Sequence, residues 1–272
     1  MEPAEQRDRL EHIRSGKLKV AFGSRLKGVR GVITLGVRPN LEDYSPAEWS
    51  CIRNAPVLYY PTALLSQPLL ALGKRLFPGY ASCYYAGDKI RQTTLFKLMG
   101  IPHPRTRLYF RRHFEDILRD FDFPFVAKAP RGSDSGRGVF LVDSRDELKR
   151  YLENTPVAYI QEYLNNAIDY RVVLIGYKPV LAYRRTPAAG EFRANVARGG
   201  AIDFNDIPEA VIEIADKTAR SCQFDDVGVD VVSSGLRYYV LEANFRYGRK
   251  GFKAAGLSYK GILEEMLARG EI

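Results

Sequence analysis

The sequence predicts an α/β (α+β) protein in which a small α/β domain precedes a larger mixed domain. Three observations carry this. Short apolar runs alternate with helical patterns over roughly the first 84 of 272 residues, a glycine-rich loop joins two strands near the middle, and a tight apolar hairpin lies close to the end. A chain of this length can bury two or three modest cores. Its 46% hydrophobic and 27% charged residues are ordinary for a folded globular protein, so continuous structure is expected past about residue 17.

In the first domain, LKVAF at 18–22, GVITLGV at 31–37 and APVLYYP at 55–61 read as strands. Ser45-Pro46 with Glu48 three residues after the serine is a helix start: hydroxyl cap, proline in the first turn and a carboxylate reaching back. A second helix, 62–76, opens at Thr62 and repeats Leu64, Leu65, Leu69, Leu72 and Leu76 at helical spacing. The domain ends near Pro78-Gly79, and residues 1–16 form an arm or short helix before it.

The second domain opens with a helix at 87–99, closed by Gly100 and the turn IPHP. TRLYF and FPFVAKA bracket a short helix at 113–120, and the loop Arg131–Gly138 leads into GVFLV. A helix at 144–153 and the strand AYIQEYL follow. DYRVVLIG and KPVLAYRRT form a hairpin turning at Gly176-Tyr177-Lys178, then comes a helix at 207–222. VGVDVVSS and LRYYVLEANF make the last hairpin, and a helix at 258–268 ends the chain.

Several function classes drop out. No stretch reaches the roughly 18 consecutive apolar residues of a membrane span, and the charged first twenty residues exclude a signal peptide. The chain is therefore expected to stay in the cytoplasm without a membrane partner. Cys51, Cys83 and Cys222 are odd in number and far apart, so neither a disulfide framework nor a thiolate zinc site is expected. His12, His103 and His113 form no ligand pattern, which leaves oxygen ligands for any metal. The net charge of +9 is scattered and carries no base-stacking motif, so it points to anionic ligands rather than nucleic acid.

The chemistry-bearing residues concentrate in the second domain. Asp230 sits in VGVDVV and Glu242 in YVLEANF, where an unpaired buried charge would be costly. Strand periodicity sends Glu242 and Asn244 to one face, and the hairpin brings Asp230 beside them. Such a convergence of hard oxygen donors suits Mg²⁺. In the loop, Gly132, Gly136 and Gly138, with Ser133 and Ser135, allow backbone N–H groups to close over phosphates, though glycines also serve plain turning. Lys128, inside the apolar FVAKA, either snorkels or meets an anion. The Gln161-Glu162-Tyr163-Leu164 segment can offer backbone groups to an adenine edge, and Asp169 can accept from ribose hydroxyls; both patterns also suit a surface strand.

Taken in order, Lys89, VAK with its glycine loop, QEYL, DYR, RRT, FRANVARGG, GVD and LEAN resemble the ATP-grasp superfamily, in particular its RimK-like and glutathione-synthetase-type carboxylate–amine ligases. The resemblance covers about 85–268. It implies an ATP-grasp fold whose two subdomains clamp the nucleotide: a lid at about 105–165 and a C-terminal part at about 166–272. Lys89 and Lys128 would contact ATP phosphates under the loop of Gly132, Ser133, Gly136 and Gly138. Gln161, Glu162, Tyr163 and Leu164 would line the adenine slot, and Asp169 would meet the ribose. Asp230, Glu242 and Asn244 would hold Mg²⁺, two ions, with Mn²⁺ as a substitute. Arg193 and Asn195 would stabilise the transferring phosphoryl group, with Arg171 and Arg198 as supports. The implied activity activates a carboxylate as an acyl phosphate and passes it to an amine. Its partners would be a small carboxylate and amine or an acidic peptide or protein tail, and a homo-oligomer is compatible with it.

Two departures bear on the substrate. The loop RGSDSGRG is one residue longer than the form expected of such ligases. The segment after Asn244, usually small and proline-containing, instead carries Arg246, Arg249 and Lys250, with Lys253 just beyond. Either this is a solvated basic loop or it binds a strongly acidic substrate. Phosphotransfer to a non-carboxylate acceptor, and a nucleotide-binding regulatory protein without turnover, are the competing functions.

Overall fold

The computed structural model describes residues 3–131, 138–187 and 200–272 and divides into two compact units. No helix among them is long and apolar enough to cross a membrane.

The first unit takes residues up to Tyr84 together with 223–226 and 256–272. It contains α1 (Pro3–Arg14), β1 (Lys19–Ala21), β2 (Val32–Thr34), α2 (Pro46–Asn54), β3 (Val57–Tyr59), α3 (Ala63–Ala71), β4 (Arg75–Phe77) and α4 (Tyr80–Tyr84). The strands form a parallel sheet in the order β2-β1-β3-β4. Ser45 caps α2 as its sequence requires: its hydroxyl accepts from Glu48 N–H at 3.3 Å and its own N–H donates to the Glu48 carboxylate at 2.8 Å. The expected N-terminal arm is the helix Pro3–Arg14, tied to the core because its Ile13 is fully buried among Val20, Phe22, Ile52 and Leu58. The helix expected over 62–76 stops at Ala71. Gly73 takes φ +72° beyond it, and residues 75–77 extend as β4. The C-terminal helix, Tyr259–Ala268, clusters with this first unit rather than with the residues that precede it.

The second unit spans Tyr85–Cys222 and Val227–Ala255. Its elements are α5 (Lys89–Leu98), β5 (Thr106–Phe110), α6 (Phe114–Asp120), β6 (Phe125–Lys128), β7 (Val139–Val142), α7 (Arg145–Glu153), β8 (Val157–Glu162), β9 (Ile168–Ile175), β10 (Lys178–Thr186), β11 (Ala201–Asp203), α8 (Glu209–Ser221), β12 (Asp226–Ser234), β13 (Arg237–Asn244) and α9 (Lys250–Ala254). One sheet runs β5-β8-β6-β7 and the other β11-β10-β9-β12-β13. In the first sheet Phe125, Ala127, Ala158 and Ile160 form a core with Ile117 of α6 and Leu148 of α7. The alternate positions, Val126, Lys128, Tyr159 and Gln161, therefore line the opposite face. The two expected hairpins form, turning through Gly176 and Tyr177 at φ +57° and +60° and through Gly235 at φ +59°.

Candidate functional site

β12 and β13 pair so that Asp230 lies opposite Glu242 and Gly228 opposite Asn244, with an irregularity after Asp230. Opposed residues share a face, and so do residues two apart, so the three oxygen-bearing side chains converge. Asn244 Nδ2 donates to Asp230 Oδ2 at 2.8 Å. On the other side, β9 and β10 pair Asp169 with Arg185 and Arg171 with Tyr183.

This register assembles a buried charge cluster. Arg171 donates from Nε to Asp230 Oδ1 and from a terminal nitrogen to Oδ2, both at 2.6 Å. Arg185 binds Asp169 at 2.5 Å and reaches Asp230 Oδ1 at 3.1 Å. Burial alone would raise the Asp230 carboxyl, but Arg171 and Arg185 outweigh it and hold the group below the usual carboxylate range. Asp169 is dominated by burial, only partly offset by Arg185, and is pushed up to about 6. The Arg185 guanidinium is held charged: burial opposes its charge, and Asp169 with Asp230 more than compensate.

Two lysines complete the site. Lys89 opens α5 and is buried, with Nζ 3.4 Å from Glu242 Oε1. Asp88 caps that helix, accepting from Arg91 N–H at 3.0 Å, and its other oxygen receives Arg131 Nε at 2.8 Å. Lys89 N–H donates to the Pro130 carbonyl at 3.0 Å, so the helix start is fastened to the root of the glycine loop. Gln92, one turn on, exchanges two 2.9 Å hydrogen bonds with the Ala243 backbone and fixes the end of β13. Lys128 ends β6, its Nζ 5.8 Å from the centre of the Tyr159 ring. Burial brings its pKa down to about 8, despite support from Glu242. Four cations (Lys89, Lys128, Arg171, Arg185) thus face three carboxylates (Asp169, Asp230, Glu242). An imbalance of that sign favours an anionic ligand.

The other anticipated residues fall as follows. Gly138 closes the loop at φ +74°, its carbonyl accepting from Ala129 N–H at 2.6 Å. Gly132, Ser133 and Gly136 lie outside the described residues, as do Arg193, Asn195 and Arg198. Gln161 is buried and donates to Thr106 Oγ1 at 2.9 Å, while Glu162 N–H donates to the Arg105 carbonyl at 2.9 Å. Tyr163 and Leu164 follow the end of β8, half-buried. Asp169, anticipated at the ribose, is committed to Arg185 and belongs to the charge cluster. Arg246, Arg249 and Lys250 are exposed, presented by a segment anchored through buried Tyr247, Gly251 and Phe252.

Sequence reasoning missed Arg185, Asp88 and Gln92. For Arg185 a signal existed: it shares a strand face with buried Leu181 and Tyr183, where a cation needs an acid. Among the described residues no three His, Cys, Asp or Glu side chains gather for a metal; the donor set is two carboxylates and one amide. As hard oxygen donors on one strand face, these three fit Mg²⁺. Glu242 and Asn244 can offer oxygens directly, whereas Asp230 can do so only in exchange for Arg171.

Comparison with known proteins identifies the family and the fold. Residues 86–266 match the model of the RimK-like ATP-grasp domain. The ribosomal protein bS6–L-glutamate ligase of Escherichia coli K12/DH10B is 30% identical over 226 residues, covering 78% of this chain and 73% of the relative. That of E. coli O139:H28 is 29% identical over 225 residues, with the same coverage. Among solved structures, D-alanine–D-alanine ligase from Bacillus anthracis superposes with TM-score 0.67 at 17% identity, over 93% of this chain and 96% of that one. A RimK domain protein from Sphaerobacter thermophilus gives 0.67 at 18%, over 91% and 98%. The ATP-grasp ligase PsnB, with minimal precursor, Mg and ADP, gives 0.68 at 14%, over 94% and 98%. The chain belongs to the RimK-like ATP-grasp family, and with it to the ATP-dependent ligases that join a carboxylate to an amine.

Proposed function

We propose that this chain activates a carboxylate with ATP and joins it to an amine, with an acidic amino acid or acidic peptide tail among its substrates. The observation that carries this reading is the cluster in which Lys89, Lys128, Arg171 and Arg185 surround Asp230, Glu242 and Asn244. A carboxylate attacking the γ-phosphate brings two anions together, and such a step is limited by charge neutralisation and alignment. Lys89 and Lys128 supply fixed positive charge toward the phosphates. Arg171 and Arg185 supply it toward the carboxylate and the acyl phosphate it becomes. Mg²⁺ held by Glu242 and Asn244, with Asp230 in exchange, would neutralise phosphate oxygens; two ions, or Mn²⁺ in their place, belong to the same reading.

The amine then adds to the acyl carbon, phosphate leaves with the bonding pair, and the amine proton passes to solvent or phosphate. No protein nucleophile is needed. The residues around Gly132, Ser133 and Gly136, with Arg193, Asn195 and Arg198, are assigned to covering and stabilising the reacting groups, and Gln161–Leu164 to the adenine. Exposed Arg246, Arg249 and Lys250 beside Asn244 favour an acidic substrate, as in the relatives named for glutamate ligation. A cytoplasmic location accords with ATP as substrate.

The test is ADP release over pools of amino acids and acidic peptides, with hydroxylamine as a trap. Amine-dependent ADP release and a hydroxamate product are expected. ADP release with phosphate on a hydroxyl acceptor and no hydroxamate would replace the ligase by a phosphotransferase.

A further inference from the structure

β5 is an edge strand: among the described residues it pairs only with β8, antiparallel, with Thr106 opposite Gln161 and Phe110 opposite Val157. Backbone hydrogen bonds at Arg105 and Arg111 mark the odd-numbered positions as those turned toward β8. The even positions therefore turn their N–H and C=O groups outward. Of these, the Thr106 carbonyl accepts from Lys97 Nζ at 2.8 Å and the Phe110 carbonyl from His113 N–H at 2.9 Å. The outward groups of Leu108 and the N–H of Phe110 lie between those two. Folded proteins usually blunt or cover such an edge.

This edge also keeps apolar side chains in water, with Leu108 41% and Phe110 61% exposed. The Arg112 guanidinium lies 5.5 Å from the Phe110 ring centre. Arg107 is matched by Asp120 at 2.6 Å, whereas Arg111 and Arg112 have no carboxylate partner among the described residues. Beside the strand end is a hollow of about 640 Å³, walled by Phe110, Arg111 and Arg112 on one side and Glu153 to Pro156 on the other. The arginines outnumber the single acid there two to one. Leu108 is the register partner of Tyr159, and Tyr159 of Lys128, so the edge lies two strand spacings, about 10 Å, from the Lys128 backbone.

We propose that the β5 edge, with Arg111 and Arg112 at its end, docks an extended acidic peptide segment that adds as a further strand. Main-chain pairing at 108–110 would supply affinity in any sequence, Leu108 and Phe110 would receive alternate apolar side chains, and the arginines would select for acids. A second copy of the chain suits the edge poorly. Two-fold pairing centred on Leu108 would set Arg111 against Arg105, within a molecule already carrying +9. The inference rests on the reading that a peptide or protein tail is a substrate, and it adds the surface that holds that substrate away from the reacting atoms.

The probe is a fluorescein-labelled peptide of roughly ten residues alternating glutamate and valine, its ends blocked, titrated into the full chain by anisotropy. Binding is expected. A lysine-for-glutamate peptide should fail to bind, and Arg111→Glu/Arg112→Glu should weaken affinity by about tenfold or more. Leu108→Pro removes one outward N–H without touching the β8 ladder, and should weaken binding more than Leu108→Ala. ADP release on free amino acids should be unchanged in the arginine variant, whose substitutions are exposed and keep the test open if Leu108→Pro fails to fold. No binding by the wild-type chain, equal binding by the arginine variant, or stronger capture of a single-stranded RNA of equal charge would overturn the proposal. Peptide binding without ADP release on any substrate would instead overturn the ligase chemistry and leave the docking edge standing.

Discussion

Arg171 holds both carboxylate oxygens of Asp230, at 2.6 Å each, from the neighbouring strand. The fork matches the carboxylate plane, and both groups are largely removed from water. Removing one partner strands the other charge. Arg171→Ala should lower unfolding free energy by about 3–5 kcal/mol, measured by urea denaturation, with Arg171→Lys intermediate because it keeps the charge and loses the fork. An unchanged denaturation midpoint in Arg171→Ala would mean the pair contributes nothing to the fold.

Lys128 titrates at about 8 in the free protein because burial disfavours its charge. ATP affinity should therefore fall as pH rises from about 7 to 9. A bound phosphate restores the lysine's charge, so the effect should appear in kcat/KM for ATP and little in kcat. Arg, with a pKa far above this range, should flatten the profile: Lys128→Arg is predicted to show no break near 8. The stability sign is opposite. Between about 8 and 10.5 the unfolded chain binds more protons at this residue, so its contribution to stability rises with pH.

Asp225 accepts from Gly79 N–H at 2.9 Å and from Ser82 Oγ at 3.2 Å, and burial pushes its carboxyl up to about 6. Here the folded chain holds the proton more tightly. The Asp225 contribution to stability is thus fullest below about 4 and is lost as pH rises through about 6. The difference in unfolding free energy between wild type and Asp225→Asn should change across that window and be flat above 7. A constant difference from pH 4 to 7 would refute the assignment.

A Cβ added at Gly251 would meet the Tyr183 ring at 2.6 Å. Gly251→Ala should displace α9, cost about 1–3 kcal/mol and raise KM for the acidic substrate, since Arg249 and Lys250 ride on the same turn. Gly248 has open space around its Cβ direction, so Gly248→Ala is the control expected to change neither.

Charge reversal at Arg246 and Arg249 should raise KM for the acidic substrate by about tenfold while leaving ATP binding intact. Steady-state kinetics with each substrate varied in turn would distinguish this from a solvated basic loop, for which both constants would stay level.

Much of this was legible in the residues. An acid in VGVDVV and another in YVLEANF can only be sustained near cations, and the hairpin between them made their meeting a matter of strand period. The capping box at Ser45, the glycine turn at Gly235 and the lysine in FVAKA each required the local structure they have. Other features were not legible because their causes are distant in sequence. The leucine spacing that begins after Thr62 runs on to Leu76 and carries no sign that Gly73 turns the chain into β4.

The sequence by itself determined which chemistry the second unit could support, because buried acids, lysines and glycines at strand ends are costly unless they serve one another. Only the tertiary structure decided the partners. Asp169 went to Arg185, Asp230 was divided between two arginines and an amide, and Gln92 was enlisted to hold β13 across 151 residues of chain. Such pairings follow from β-sheet register and helix placement, which bring together groups whose separation along the chain carries no information about their distance in space.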